Sequence, residues 1–218
     1  MGKRSFGVLI LIVAAGILGV LASNKLLAPS KDGDARWPAT QTVTLLPRPR
    51  VLPDFSLRQS DGTQLTQGEL RGHWTLVFLG FTFCPDVCPT TLAQLAQAQK
   101  QWAALPDSIR PRLLFVSIDP ERDTPTKVGE YAHAFHPDTL AATADVPALE
   151  AFAKSLSLVF VKVPGEHFKQ NPQDYSMDHS AQIVVLDPQG RMAGLIQPPF
   201  DPAAIGADML KLTEAMPK

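Results

Sequence analysis

The only two cysteines of the chain lie in one short segment, FTFCPDVCPTTL, four positions apart. Cys84 and Cys88 each precede a proline, which disfavours helical geometry at the cysteine itself. We therefore predict that a helix begins near Pro89, with Cys88 at its cap and Cys84 in the preceding loop. Both sulfurs would then lie near the positive end of a helix dipole, which favours the thiolate.

The cysteine pair allows three interpretations, because a thiolate is both a nucleophile and a metal ligand. The pair could bind a metal, act as a redox couple, or form a small structural disulfide in an oxidising compartment. Its spacing exceeds the Cys-x-x-Cys redox motif by one residue, which allows the two sulfurs to diverge around an ion. Asp86, between them, would oppose thiolate formation but attract a cation.

A third candidate ligand stands late in the chain. Among five histidines, His179 is distinctive because it lies in DYSMDHSAQIVV, in a turn-rich loop just before a predicted core strand. Such a loop can reach the loop before the first long helix. Two thiolates and one imidazole form a soft set of three ligands, which suits Cu(I), whereas zinc would want a fourth. We interpret the nearby Met177 as a packing thioether.

The elements that must position these residues follow from apolar periodicity. A nearly continuous apolar run at 74–81 predicts a strand buried on both faces of a sheet, and a second buried strand is predicted at 112–119. A core strand that ends in a turn is predicted at 181–190. The segment after Cys88 has helical spacing and strong helix formers. A further helix is predicted to begin at Thr124 and run to about Phe135. The order of elements predicts an α/β sandwich with a central mixed sheet.

Charge and composition exclude two other classes of protein. The chain has 218 residues, with 20 basic and 21 acidic side chains and a formal net charge of −1. This balance gives no support for nucleic-acid binding. Two cysteines are too few for a disulfide-rich scaffold, so that their role is expected to be local.

The N-terminal region indicates attachment to a membrane. Lys3 and Arg4 precede an uncharged apolar run over 6–22, which is nearly long enough to span a bilayer. We predict an anchor at 1–27, with a cleaved signal peptide as the alternative, because VLA before Ser23 is a plausible cleavage site. Residues 28–52 are proline-rich and predict a tether, and 53–218 form the folded domain. Both alternatives put that domain outside the cytoplasm.

Three segments together resemble one known family. The segments GFTFCPDVCPTTL, VSIDPERDTP and DYSMDHSAQIVVLDPQGRM are similar to those of the Sco/SenC proteins, copper chaperones for cytochrome c oxidase assembly. The resemblance covers roughly residues 50–215 and implies a thioredoxin-like fold. It implies that Cys84, Cys88 and His179 bind copper, as Cu(I) or Cu(II). Asp119 matches a family aspartate near the site, although it could equally cap the turn before the next helix. Asp119 and Asp86 are thus candidates for outer carboxylates, which contact the ligands and not the metal itself.

The same resemblance implies a function and a location. It implies a metallochaperone, not an enzyme, tethered to the inner membrane with its domain on the periplasmic side. It would deliver copper to the binuclear copper centre of cytochrome c oxidase subunit II, gated by the redox state of the cysteines. Its other partners would be a thiol reductant or another copper donor. The alternative function is a thiol–disulfide reductase acting on the cysteines of the oxidase subunit. One departure from the family pattern is Phe83, where many relatives carry another side chain, often histidine.

Overall fold

The computed structural model describes residues 37–216. The predicted anchor at 1–27 and the first part of the predicted tether, 28–36, lie outside the described residues. Within the described range, no helix is both long enough and apolar enough to cross a bilayer.

Ten strands and four α-helices build the described domain. The strands are β1 (Val43–Arg50), β2 (Ser56–Gln59), β3 (Gln64–Thr66), β4 (Thr75–Gly80), β5 (Arg112–Ser117), β6 (Leu140–Thr143), β7 (Phe160–Pro164), β8 (Tyr175–His179), β9 (Ile183–Leu186) and β10 (Met192–Ile196). The helices are α1 (Val87–Trp102), α2 (Pro125–His133), α3 (Val146–Ser155) and α4 (Pro202–Glu214).

Eight of the strands form one mixed sheet, in the order β1-β10-β9-β4-β5-β6-β2-β3. Strands β4, β5 and β6 are parallel, and the remaining pairs are antiparallel. The prediction of an α/β fold with a central mixed sheet is thus confirmed. Every residue of β4 and of β9 is buried, in agreement with the apolar run that predicted β4 and with the core strand predicted within 181–190.

The sheet topology brings three loops of interest to one edge of the sheet, the one formed by the C-terminal ends of β4 and β5. Because β4 and β5 are parallel, the loops that follow Gly80 and Ser117 leave the same edge of the sheet. Strand β9 runs antiparallel to β4, so that the segment entering β9 at Ile183 lies at this edge as well. The cysteine loop, the loop after β5 and the segment containing His179 therefore converge.

Part of the predicted tether belongs to the sheet. Residues 43–50 form β1, which pairs with β10 at the edge, and Trp37 packs against Trp74 with 4.8 Å between ring centroids. The assignment of 43–50 to the tether was therefore wrong. Prolines at 47 and 49 suggested an irregular segment, but an edge strand tolerates proline because one of its sides needs no hydrogen-bond donors.

A second difference concerns the segment before His179. The sequence predicts a turn-rich loop there, but residues 175–179 form β8, which pairs with β7 in a separate two-stranded sheet. Buried Tyr175 and Met177 alternate with exposed Ser176 and Asp178 along β8. This alternation is the pattern of a half-buried strand. It is difficult to recognise in the sequence because the strand is short and most of its residues are polar.

Asp208 of α4 attaches the beginning of β1 to the domain. Its carboxylate is buried and accepts hydrogen bonds from the backbone N–H groups of Gln41, Thr42 and Val43, at 2.7–3.1 Å. The Thr42 hydroxyl donates to the same carboxylate. Burial by itself would raise the pKa of Asp208, but these donors outweigh it and hold the pKa below its ordinary value.

We expect Asp208→Asn to lower the free energy of unfolding by about 2 kcal/mol at neutral pH, because it removes the charge that these donors stabilise. A lowered pKa adds stability above the pKa of the unfolded chain, and this contribution is lost as the pH falls through the folded pKa. The difference between wild type and variant should therefore shrink below about pH 4. Urea unfolding at several pH values tests this, with exposed Asp107→Asn as the control.

Candidate metal centre

The cysteine loop connects β4 directly to α1. Helix α1 begins at Val87 with Asp86 as its N-cap residue, so that Cys88 lies within the first helical turn. The prediction that the helix begins near Pro89 was wrong by two residues. Proline is tolerated there because backbone N–H groups in a first helical turn have no intrahelical acceptor to lose.

The two thiols are free and differ in exposure. Cys88 is fully buried, whereas Cys84 in the loop is half-buried. The backbone N–H of Cys88 donates to the Cys84 sulfur at 3.3 Å, which holds Cys84 over the beginning of α1. Gly80 leaves room beneath them, because a Cβ at this position would lie 2.9 Å from the Cys88 sulfur and 2.7 Å from Cε2 of Phe115.

The expected lowering of thiol pKa is wrong for Cys88. Burial raises the pKa of the Cys88 thiol far above its ordinary value, and the neighbouring Cys84 thiol and Asp123 carboxylate add to the shift. A backbone hydrogen bond at Phe81 lowers the pKa of this thiol but does not offset the loss of hydration. Cys88 is therefore a neutral thiol in the metal-free protein at neutral pH.

His179 lies opposite Cys88, with 3.8 Å between its Nε2 atom and the Cys88 sulfur. It is the last residue of β8 and shares a strand face with buried Tyr175 and Met177. Its Nδ1 atom lies 2.9 Å from the carbonyl oxygen of Ser180. A carbonyl only accepts, so Nδ1 carries the proton and Nε2 presents its lone pair toward the sulfur.

The surroundings of His179 keep its ring neutral and fixed. Burial lowers the pKa of the imidazole below its ordinary value, and the Ser180 carbonyl and Asp178 carboxylate oppose this shift only in part. The rings of Phe78 and Phe81 contact it edge-on, with centroids 6.2 and 6.3 Å away. A neutral, oriented imidazole is the form that binds a metal ion.

The two predicted outer carboxylates are in different environments. Asp119 is buried, accepts a hydrogen bond from the Tyr175 hydroxyl at 2.6 Å and pairs with Arg122. Asp86 is exposed at the beginning of α1, where the Thr90 hydroxyl lies 3.4 Å from it. Within residues 37–216, neither carboxylate is hydrogen-bonded to a cysteine or to His179, and their outer-ligand roles stay predictions.

Two residues that support the site were not identified from the sequence. Asp123 is buried and accepts hydrogen bonds from the backbone N–H and hydroxyl of Thr82 in the cysteine loop, and from the Ser117 hydroxyl. Arg122 lies beside it, in contact with Asp119. The only available signal was the charged run PERD directly after a buried strand, where polar residues meet the edge of the sheet.

The structure thus brings Cys84, Cys88 and His179 to one end of the sheet. Across the described residues, no group of three His, Cys, Asp or Glu side chains is already arranged to hold a metal ion. The assignment of the three as copper ligands therefore stays a prediction. Their chemistry is that of two sulfur donors and one imidazole nitrogen, a soft set.

A mixed sheet flanked by helices, with a cysteine pair where β4 meets α1, defines a protein of thioredoxin-like fold. Residues 44–214 match the SCO1/SenC family. The chain belongs to this family, which confirms the resemblance seen in the sequence.

Known proteins agree with that membership. The mitochondrial SCO2 homologue of Bos taurus is 36% identical over 137 residues, 63% of this chain and 50% of the bovine protein, so the chain spans about half of that relative. The structure of Arabidopsis thaliana ScoI with copper bound is 30% identical, with a TM-score of 0.67 over 76% of this chain and 99% of the other.

A more distant structure shares the fold alone. BsSco, described as a member of the Sco family of cytochrome c oxidase assembly proteins, is 22% identical, with a TM-score of 0.59. The alignment covers 79% of this chain and 98% of that one.

We expect Gly80→Ala to lower the free energy of unfolding of the reduced protein by about 1–3 kcal/mol, because the added methyl group overpacks against the Cys88 sulfur and the Phe115 ring. Urea unfolding measures the change. Gly68→Ala is the control, since its nearest neighbour would be the Thr66 hydroxyl oxygen at 3.4 Å. Equal stabilities of Gly80→Ala and wild type would contradict the close packing beneath the cysteines.

Proposed function

We propose that this chain is a copper metallochaperone. Cys84, Cys88 and His179 bind copper, and the domain delivers it to the binuclear copper centre of cytochrome c oxidase subunit II. The observation that carries the proposal is the 3.8 Å separation between the Cys88 sulfur and Nε2 of His179. Membership of the SCO1/SenC family, and the copper bound in the Arabidopsis relative, support it.

The donor chemistry favours copper over zinc. Cu(I) accepts two thiolates and one imidazole as a complete set, whereas structural zinc sites have four ligands. Burial keeps Cys88 protonated without the metal, so that copper binding must displace a proton from this thiol. We therefore expect copper affinity to rise with pH as that proton becomes easier to remove.

The difference in exposure between the cysteines suits transfer by ligand exchange. Cys84 is half-buried at the rim of the site, and Cys88 is buried beneath it. An acceptor thiolate can approach the copper from the Cys84 side and replace that sulfur first. Cys88 and His179 release the ion afterwards.

The redox state of the cysteines gates this binding. When the two thiols form a disulfide, they give up two electrons and two protons to a disulfide oxidant such as oxidised glutathione. The disulfide sulfurs are no longer thiolate ligands, and His179 alone is insufficient to hold Cu(I). A reductant must therefore act before copper is loaded.

The alternative function is a thiol–disulfide reductase that acts on the cysteines of the oxidase subunit. The same difference in exposure favours it, because an accessible Cys84 could attack a substrate disulfide and a buried Cys88 could then resolve the mixed disulfide. This function requires both cysteines but not the imidazole. His179 therefore distinguishes the two proposals.

Titration of the reduced full chain with Cu(I), in competition with a chromogenic chelator, tests the copper proposal. We expect one copper ion per chain. In His179→Ala we expect the Cu(I) affinity to fall more than about tenfold, since substitution of a residue that only orients a metal ligand already lowers metal affinity about tenfold. His167→Ala, at an exposed position, is the matched control. The chain oxidised to the disulfide should bind Cu(I) far more weakly.

The outcomes separate the two functions. If His179→Ala binds Cu(I) as tightly as wild type, the three-ligand site is wrong. If that variant also reduces a disulfide in the copper domain of subunit II at the wild-type rate, the reductase is favoured. Copper transfer from the loaded chain to the reduced apo form of that domain, lost in Cys84→Ser, would support delivery.

We further propose that residues 1–27 anchor the domain to the periplasmic side of the inner membrane, through a tether that ends before β1. The support is the charge and apolar pattern of the N-terminus. After cell fractionation, we expect the full chain to remain with membranes through an alkaline wash and to be digested by protease added to the periplasm. A mature N-terminus at Ser23 would contradict the anchor and indicate a cleaved signal peptide.

A further inference from the structure

One arginine contacts both halves of the candidate site, although it was not among the predicted site residues. Arg122 lies in the loop between β5 and α2, and only 7% of its side chain is exposed. Its contacts extend toward the cysteine loop, toward β8 and toward Asp119. A nearly buried guanidinium is costly unless these contacts compensate for the water it has lost.

On the side of the cysteine loop, the contacts are aromatic. The guanidinium carbon of Arg122 lies over the ring of Phe83, 4.7 Å from its centroid, and 5.9 Å from that of Phe81. Phe83 directly precedes Cys84 in the chain. A guanidinium over an aromatic face is attracted by the ring quadrupole, and the attraction is stronger where water is excluded.

On the side of β8, the contacts are hydrogen bonds and a closer stacking interaction. Nη1 of Arg122 donates to the carbonyl oxygen of Tyr175 at 2.9 Å and to that of Gln173 at 3.3 Å. The guanidinium carbon lies 3.6 Å from the centroid of the Tyr175 ring. Tyr175 begins the strand that ends at His179, so Arg122 holds the opposite end of the histidine's strand.

Asp119 completes this set of contacts. It pairs with Nε of Arg122 through one carboxylate oxygen and accepts the Tyr175 hydroxyl through the other. The position of Arg122 is thereby tied to the end of β5 in the main sheet. The three residues form a closed set, which we call the Asp119–Arg122–Tyr175 clamp.

The clamp is needed because the hairpin of β7 and β8 pairs with no strand of the main sheet in the described part of the chain. Beyond the short connection from His179 to β9 at Ile183, side-chain contacts therefore determine where β8 lies relative to the cysteines. A second charged link, from Lys162 of β7 to Glu121, is partly exposed at both ends. Exposed pairs of this kind contribute little to position or stability.

We infer that Arg122 is a positioning residue: it fixes the strand carrying His179 against the cysteine loop, so that the imidazole faces Cys88. Where copper is concerned, the inference rests on the proposed function. The placement of His179 is a property of the metal-free protein and can be tested without copper. The experiment therefore has two arms.

The first arm uses NMR on the reduced, metal-free full chain. In wild type, the 3.8 Å contact predicts nuclear Overhauser effects between the His179 ring and the β-protons of Cys88. We expect Arg122→Met to weaken or abolish them. Arg191→Met is the matched control, because Arg191 pairs with the buried Asp187 beside the turn between β9 and β10, away from the site. Undiminished effects in Arg122→Met would overturn the inference.

The second arm is a double-mutant cycle on Cu(I) affinity. Arg122→Met should lower the Cu(I) affinity about tenfold when His179 is present, as substitutions of residues that orient metal ligands commonly do. In the His179→Ala background, Arg122→Met should lower the Cu(I) affinity less than about twofold, because the ligand that Arg122 positions is absent. Provided that His179→Ala itself lowers the affinity, an equal loss in both backgrounds would mean a general structural effect and would also overturn the inference.

Two further variants keep the test decisive if Arg122→Met fails to fold. Arg122→Lys retains the charge but loses the planar fork, and Tyr175→Phe retains the ring but loses its hydroxyl bond to Asp119. Both should weaken the His179–Cys88 effects, and wild-type effects in both would overturn the inference. If copper affinity is independent of His179 while the NMR arm gives the expected result, the ligand assignment fails and the positioning role stands.

Discussion

Strand β4 is paired on both sides, in parallel with β5 and antiparallel with β9, and the candidate site depends on this arrangement. The parallel pairing sends the loops after β4 and β5 to the same edge of the sheet. The antiparallel pairing brings the chain back to that edge just before β9. The segment that carries His179 therefore enters β9 beside the cysteine loop, although His179 and Cys88 are 91 positions apart in sequence.

Packing beneath this edge then decides the state of each candidate ligand. Cys88 is inside the core, where loss of hydration raises the pKa of its thiol and keeps it neutral. His179 packs edge-on against two phenylalanine rings, and its Nδ1–H donates to the carbonyl oxygen of Ser180. Its Nε2 atom therefore faces the Cys88 sulfur. Burial thus opposes charge at both positions, so that both groups are neutral in the metal-free protein.

The sequence predicted those features that depend on local pattern. Apolar runs identified β4 and β9, and cysteine spacing with family motifs identified three residues that do converge. Strand β1 was missed because its prolines are tolerated only at a sheet edge, and the edge is a property of the whole sheet. The neutral thiol of Cys88 was missed because its burial depends on Gly80 and Phe115, from two different strands. Arg122 and Asp123 also contact Tyr175 and Thr82, which are distant in sequence, and the charged run that contains them does not indicate those partners.

The division of the site between two structural units has a physical consequence. The cysteine loop is anchored to the main sheet by the buried Asp123 carboxylate, which accepts both the N–H and the hydroxyl of Thr82. His179 instead belongs to a two-stranded sheet that shares no backbone hydrogen-bond ladder with the main sheet within residues 37–216. Side-chain contacts, chiefly those of the Asp119–Arg122–Tyr175 clamp, therefore set the position of the imidazole relative to the sulfurs. The two halves of the candidate site are thus held by separate buried carboxylates, Asp123 on the cysteine side and Asp119 on the histidine side.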